Sequence, residues 1–192
     1  MNRRQLLQGA LLHSGAALVM PAAVSAWLSW PSRAQAMGGT LPGLDQPAPA
    51  FSLPGFGPGL DGSGRLGLDQ FSGRWLALYF YPKDFTGGCT LEARGFQRDL
   101  QQFHQLNAEV VGISADDVAE HASFCDSEGL VFPLLSDPGG AVSQRYGSWI
   151  APFSQRHTFL IDPEGVLRAR WVAVRPLGHS LEVLDELQRL QA

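Results

Sequence analysis

The chain has 192 residues, 45% of them hydrophobic and 17% charged. That length allows a leader plus one domain with a sizeable core, and the balance excludes a disordered polymer or a membrane bundle, since no apolar run reaches the ~18 residues of a spanning helix. Residues 1–36 hold three arginines and no acid, leaving 11 basic and 18 acidic residues beyond them, a balance of −7 within a net charge of −4. So acidic a domain lacks the electrostatic footprint for nucleic acid or anionic lipid.

The first 36 residues read as an address. Asn2-Arg3-Arg4-Gln5-Leu6-Leu7 sets paired arginines before a modestly apolar stretch, Gly9 to Leu28, and Ala34-Gln35-Ala36 supplies small residues at signal-peptidase spacing. The pattern resembles a twin-arginine export signal, which a receptor reads and which does not specify fold. An uncleaved amphipathic anchor using Trp27 and Trp30 is the competing reading. The domain is expected over residues 37–192, exported to a periplasm, or to a thylakoid lumen in a photosynthetic cell.

Gly38 to Pro58 is rich in Gly and Pro and predicts an extended leader over the domain surface. Asp61-Gly62-Ser63-Gly64 is turn chemistry for a small hairpin ending near Leu68. Trp75 to Tyr81 is a continuous apolar-aromatic run, predicting a strand buried on both faces that Pro82 stops. A helix is expected from Gly88 to Leu106, with Ala93, Phe96, Leu100 and Phe103 on its apolar stripe. Val110 to Ile113 predicts a short buried strand, and Ser114 an N-cap for a helix whose apolar face is Val118, Ala122 and Cys125 and which Gly129 ends.

Leu130 to Leu135 and Thr158 to Ile161 predict further strands, and Asp162-Pro163-Glu164-Gly165 a turn into a strand over Val166 to Val174. Ser180 is the expected cap of a last helix running through Leu190. Strands alternating with helices, then a hairpin and a closing helix, predict a single α/β domain with a mixed central sheet.

Chemistry concentrates in Tyr79-Phe80-Tyr81-Pro82-Lys83-Asp84-Phe85-Thr86-Gly87-Gly88-Cys89-Thr90-Leu91-Glu92-Ala93. A cysteine in the first turn of a helix meets unpaired N–H groups and the positive dipole end, which favour thiolate over thiol. Gly87 and Gly88 leave room for a small ligand, and the Thr86 hydroxyl is placed to donate to the sulfur or to an oxygen beside it. Arg156, opening the strand Arg156-His157-Thr158-Phe159-Leu160-Ile161, is the best candidate for a fixed positive charge, on one face with Thr158 and Leu160. Glu92 is read as a structural cap or partner. His104, His121, His157 and His179 fall at no metal-ligand spacing and are read as ordinary. No metal or cofactor is expected. Trp75, Trp149 and Trp171 are expected in the core or in pocket walls.

With only Cys89 and Cys125 in the chain, a structural disulfide, a catalytic pair and two independent thiols all remain open. The Pro-x-x-x-Thr-x-x-Cys pattern of Pro82, Thr86 and Cys89, with Tyr-Pro-Lys-Asp, Cys-Thr-x-Glu-Ala, Phe132-Pro133-Leu134-Leu135-Ser136-Asp137 and Arg-x-Thr-Phe-Leu-Ile-Asp, resembles the peroxiredoxins, in particular the peroxiredoxin Q or bacterioferritin-comigratory branch. The resemblance spans roughly residues 44–190. It implies a thioredoxin-like three-layer fold and reduction of hydrogen peroxide or organic hydroperoxides by Cys89, with Pro82, Thr86 and Arg156 around it, in a chain expected to be monomeric.

Many members carry a resolving cysteine five residues after the reactive one, where this chain has Arg94, and proline is common where Gly87 stands. A subgroup resolves from the next helix, about where Cys125 falls. That implies a Cys89–Cys125 disulfide re-reduced by a thioredoxin-like or other thiol partner. A buried structural Cys125 in a one-cysteine enzyme is the alternative. A thiol–disulfide oxidoreductase would want Cys-x-x-Cys, which is missing around Cys89. A redox-silent binding module would be marked by loss of Thr86, Cys89 or Arg156, and all three are present.

Overall fold

The computed structural model describes residues 35, 36, 38–62 and 64–192. The expected export signal therefore lies almost wholly outside the described residues. In chain order the elements are β1 (Gln35–Ala36), β2 (Gly39–Thr40), β3 (Ser52–Phe56), β4 (Arg65–Gly67), a 3-10 helix (Leu68–Phe71), β5 (Trp75–Phe80), α1 (Gly87–Gln105), β6 (Ala108–Ser114) and α2 (Val118–Glu128). There follow β7 (Leu134–Ser136), α3 (Ala141–Arg145), β8 (Trp149–Ile150), β9 (Phe153–Ser154), β10 (His157–Ile161), β11 (Leu167–Trp171) and α4 (His179–Gln191).

A seven-stranded mixed sheet runs β11-β10-β5-β6-β7-β3-β4. β5, β6 and β7 are parallel neighbours, and β10 lies antiparallel to both β5 and β11. The central strand β5 alternates Ala77 and Tyr79 into one core with Leu76, Leu78 and Phe80 into the other, which is why its sequence is apolar throughout. The first core receives Phe96, Leu100 and Phe103 of α1, Phe124 of α2, and Val183, Leu184 and Leu187 of α4. The second is covered by Leu41, Phe51, Leu53, Leu66, Phe71 and, from α3 and its end, Val142 and Tyr146. The result is the mixed-sheet α/β domain expected from the element order, in the three layers that the family resemblance implies. No helix among the described residues is long and apolar enough to cross a membrane.

Several expectations need correction. The expected surface leader contains β3, which pairs with β4 and β7, buries its own Leu53 and follows directly on the buried Phe51. Gly55 is required there, since a Cβ would stand 2.4 Å from the Leu134 carbonyl. β7 begins only at Leu134, because Pro133 has no N–H for the ladder, though its carbonyl still accepts from Gly112 at 3.1 Å. Ser114 ends β6 and does not cap α2. Asp117 does, accepting from the Glu120 N–H at 2.8 Å in a capping box. α4 starts after Gly178 in the left-handed region, and the Ser180 hydroxyl donates instead to Asp99 Oδ2 at 2.6 Å. Trp75 and Trp171 pack on the first core as expected, while the half-buried Trp149 lies in the β8–β9 hairpin.

Candidate active site

β5 ends at Phe80, and its ladder closes with the Tyr81 N–H donating to the Ile113 carbonyl at 3.1 Å, just before Pro82. The half-buried Pro82 then turns the chain into the loop that leads to α1. The loop is tied to the protein body by Asp84, whose N–H donates to Asp116 Oδ2 at 2.9 Å. Phe85 adopts the left-handed region (φ 57°), rare for an aromatic residue, and sets its ring 5.1 Å from that of Phe124 on α2.

α1 then begins with Gly87, Gly88 and Cys89. Their N–H groups have no partners within the helix, and the Thr86 N-cap makes no side-chain bond to them. Cys89 is buried in this turn. The antiparallel register His157↔Phe80 carries Arg156 to the same sheet end, where Nη2 donates to Cys89 Sγ at 3.2 Å. The carbonyl of Arg156 is held by the Val174 N–H at 2.9 Å, which fixes the backbone behind the guanidinium. A Cβ on Gly88 would come within 3.2 Å of Arg156 Nη2 and 3.6 Å of Pro176 Cγ, so glycine is what permits this approach. A Cβ on Gly87 would meet open space.

Nη1 of Arg156 donates to Oε2 of Glu92, whose side chain is fully buried. Burial pushes the Glu92 carboxyl up to about 7, against the opposing pull of Arg156, and Oε1 has no hydrogen-bond partner among the described residues. The expectation of a structural partner for Glu92 is met in kind, but its partner is the guanidinium on the sulfur. The signal was in the spacing: Cys89 and Glu92, three residues apart, share a helix face.

Thr86 departs from expectation. Its hydroxyl donates to the Lys83 carbonyl at 2.9 Å and not to the sulfur, so toward a ligand it offers lone pairs. Cys125 is buried on α2, and Cys89 and Cys125 are both free thiols. Burial, with Asp84 and Asp126 adding, pushes the Cys125 thiol up to about 12.

Two of the histidines read as ordinary carry specific contacts in the core. His121 Nδ1 lies 2.8 Å from Asp84 Oδ2, and His179 Nε2 lies 2.8 Å from the Thr158 hydroxyl, both rings being fully buried. Among the described residues no cluster of three or more His, Cys, Asp or Glu could hold a metal ion. The arrangement can bind a small polar molecule against a sulfur nucleophile. It provides one guanidinium and several backbone donors where negative charge would develop.

Residues 44–170 match the model of the AhpC/TSA family. The chain is 37% identical over 154 residues to Peroxiredoxin Bcp of Xanthomonas campestris pv. campestris, covering 76% of this chain and 94% of that protein. It is 41% identical over 152 residues to a putative peroxiredoxin bcp of Coxiella burnetii, covering 75% and 97%. Among solved structures it is similar to the Xanthomonas campestris bacterioferritin comigratory protein, which has alkyl peroxide reduction activity (TM-score 0.68, 31% identity, covering 74% of this chain and 92% of that one). It is also similar to a cysteine-to-serine mutant of Xylella fastidiosa PrxQ (TM-score 0.66, 37% identity, 69% and 87%).

Proposed function

Because the chain belongs to the AhpC/TSA family and is a thiol-dependent peroxidase of the peroxiredoxin type, we propose that Cys89 is the thiol that attacks the peroxide. Arg156, Thr86 and Pro82 complete its pocket, and Cys125 resolves the product. The observation that carries this reading is the 3.2 Å contact from Arg156 Nη2 to Cys89 Sγ at a helix start that no side chain caps.

A hydroperoxide entering beside Gly87 and Gly88 donates its O–H proton to a lone pair on Thr86 Oγ1. The Cys89 thiolate attacks the terminal oxygen in line with the O–O bond. The S–O bond forms as O–O breaks, and the leaving alkoxide or hydroxide departs as alcohol or water once protonated. Its charge develops where the guanidinium and first-turn N–H groups point. Pro82, half-buried at the end of β5, keeps bulk water from the sulfur. Substrates are hydrogen peroxide and organic hydroperoxides. The exposed Phe85 and Leu177, with Pro176 beside Gly88, present apolar surface to an organic substituent.

The Cys89 sulfenic acid condenses with Cys125 to a disulfide, releasing water, and a thioredoxin-like protein or another thiol donor restores both thiols. The two free thiols belong to different helices, α1 and α2, so the condensation calls for local unwinding of one or both to bring the Cα atoms within about 7 Å. The mature chain acts as a monomer. It is exported through its twin-arginine-type leader to a periplasm, or to a thylakoid lumen in a photosynthetic cell.

The test is intact mass with peptide mapping of the reduced protein before and after one equivalent of hydrogen peroxide. Loss of two hydrogens with a Cys89–Cys125 link is the expected result. Oxygen retained on Cys89 alone would make Cys125 structural, and an unreacted Cys89 would remove it as the nucleophile.

A further inference from the structure

Asp84 is buried, and its carboxylate is shared between two partners. Oδ1 accepts from the Tyr81 hydroxyl at 2.7 Å, and Oδ2 lies 2.8 Å from Nδ1 of His121 on α2. The Tyr81 hydroxyl is also 3.5 Å from that nitrogen. An ionised carboxylate only accepts, so the network assigns the imidazole proton to Nδ1 and leaves a lone pair on Nε2. Nε2 is fully buried and meets no hydrogen-bond partner among the described residues. Buried polar atoms are nearly always paired, and an imidazole oriented by a carboxylate with its far nitrogen free has the arrangement of a general base.

One thiol shares the helix face of this base, although Cys125 Sγ makes no hydrogen bond to Nε2 in the reduced protein. Cys125 follows His121 by four residues on α2, and both are buried. Positions i and i+4 share one helix face, about 5–6 Å apart at Cβ. With its thiol pushed up to about 12, Cys125 is overwhelmingly un-ionised near neutrality. Thiolate, not thiol, attacks a sulfenic sulfur, so resolution at a useful rate calls for a proton acceptor near Cys125.

We propose that His121, oriented by Asp84, is the general base that deprotonates Cys125 as it resolves the Cys89 sulfenic acid. This rests on Cys125 being the resolving cysteine. Nε2 takes the thiol proton while Cys125 Sγ attacks Cys89 Sγ. The S–S bond forms, the S–O bond of the sulfenic acid breaks, and the departing hydroxide takes the proton from the imidazolium and leaves as water. The Cys125 sulfur is oxidised and the Cys89 sulfur reduced, so no outside oxidant or reductant enters the step. The titratable groups around the imidazole are Asp84 and Tyr81 from the β5–α1 loop, Asp116 behind Asp84, and Cys125 on its own helix.

The test follows the reduced full-length chain after rapid mixing with one equivalent of hydrogen peroxide, quenched into dimedone to trap sulfenic acid and mapped by mass. His121→Asn keeps a donor toward Asp84 and lacks the distal nitrogen. The ratio of disulfide formation to sulfenic acid formation should fall about 100-fold. The wild-type pH profile of disulfide formation should show an ionisation well below that of the Cys125 thiol, and the variant should lose it. An unchanged ratio and profile overturn the proposal while leaving Cys125 as the resolving residue. A wild type that accumulates sulfenic acid and never links Cys89 to Cys125 overturns both. If the variant does not fold, nitrogen NMR of histidine-labelled, reduced wild type decides: the proposal requires a bare Nε2 on His121, and a proton found there overturns it.

Discussion

Arg156 holds Cys89 Sγ through Nη2 at 3.2 Å and Glu92 through Nη1, so one planar guanidinium binds a sulfur and a carboxylate three residues apart on α1. The β5–β10 register delivers it there from 67 residues away in sequence. Lysine carries the same charge but no fork, and cannot serve both partners at once. Arg156→Lys should therefore lower kcat/KM for hydrogen peroxide by about 10²-fold or more. Stopped-flow consumption assays measure this directly. A variant within about twofold of wild type would mean that the guanidinium does not act in the transition state.

Glu92 makes a pH prediction with a definite sign. Its folded value near 7 lies above the ordinary 4.5, because burial outweighs the Arg156 charge. The folded protein therefore holds a proton that the unfolded chain has released between these values. Its contribution to stability is full below about pH 4.5 and is lost as pH rises to about 7, an effect of order 3 kcal/mol. His157 and His179, pushed down by burial, act oppositely as pH approaches the ordinary histidine value of 6.5. The difference between wild type and Glu92→Gln isolates the carboxyl. Urea unfolding at several pH values should show the wild type losing stability relative to the variant from pH 4.5 to 7. A flat difference would mean that Arg156 keeps Glu92 ionised throughout.

The two glycines before Cys89 should behave differently. A methyl on Gly88 meets the end of the Arg156 side chain at 3.2 Å and Pro176 at 3.6 Å, so the guanidinium must give by a few tenths of an ångström. Gly88→Ala should fold normally, since alanine suits a helix better, yet lose about 10-fold in kcat/KM through the displaced arginine. Gly87 faces open space at the first helical position, after an extended Thr86 (φ −89°, ψ 143°) that suits a following proline. Gly87→Ala should leave kcat/KM within about twofold, and Gly87→Pro should raise stability by about 0.4–1 kcal/mol. Equal activity losses at both positions would show that loop rigidity, and not the Arg156 approach, sets the rate.

What the chain displays in sequence and what it hides follow from the range of the interactions. β5 is legible because burial on both faces leaves no polar position in Trp75–Phe80, and α1 because its apolar stripe repeats over many turns. The Cys89 turn is legible because proline, glycines and a cysteine punctuate a strand-to-helix junction. β3 is not, since Pro54 and Gly55 argue against a strand and only its pairing with β4 and β7 makes it one. α3 and the β8–β9 hairpin are too short to show a period. The Asp84–His121 pair joins residues 37 apart through two connections of the sheet, and no local pattern marks it. Residue spacing locates Thr86 in the loop before Cys89 but does not show the local competition by which its hydroxyl donates to the nearby Lys83 carbonyl.

The last prediction concerns which helix yields when Cys89 and Cys125 join. α1 buries Ala93, Phe96, Leu100 and Phe103 beyond its first turn, a continuous anchor in the first core. α2 buries only His121, Phe124 and Cys125, and Gly129 in the left-handed region ends it immediately after. The segment with fewer buried apolar contacts opens at lower free energy, so α2 should give way further than α1. Hydrogen exchange read by mass spectrometry, comparing reduced protein with protein oxidised by one equivalent of peroxide, should show protection lost over residues 121–129. A smaller loss is expected over 87–92, with β5 and β6 unchanged. Cys125→Ser, treated identically, should keep α2 protected, because a sulfenic acid alone exerts no pull on that helix. If α1 opened while α2 stayed protected in the disulfide-bonded protein, the strong anchoring of Phe96 and Phe103 would not be what decides the route. The loop bearing Phe85 would then be the mobile partner.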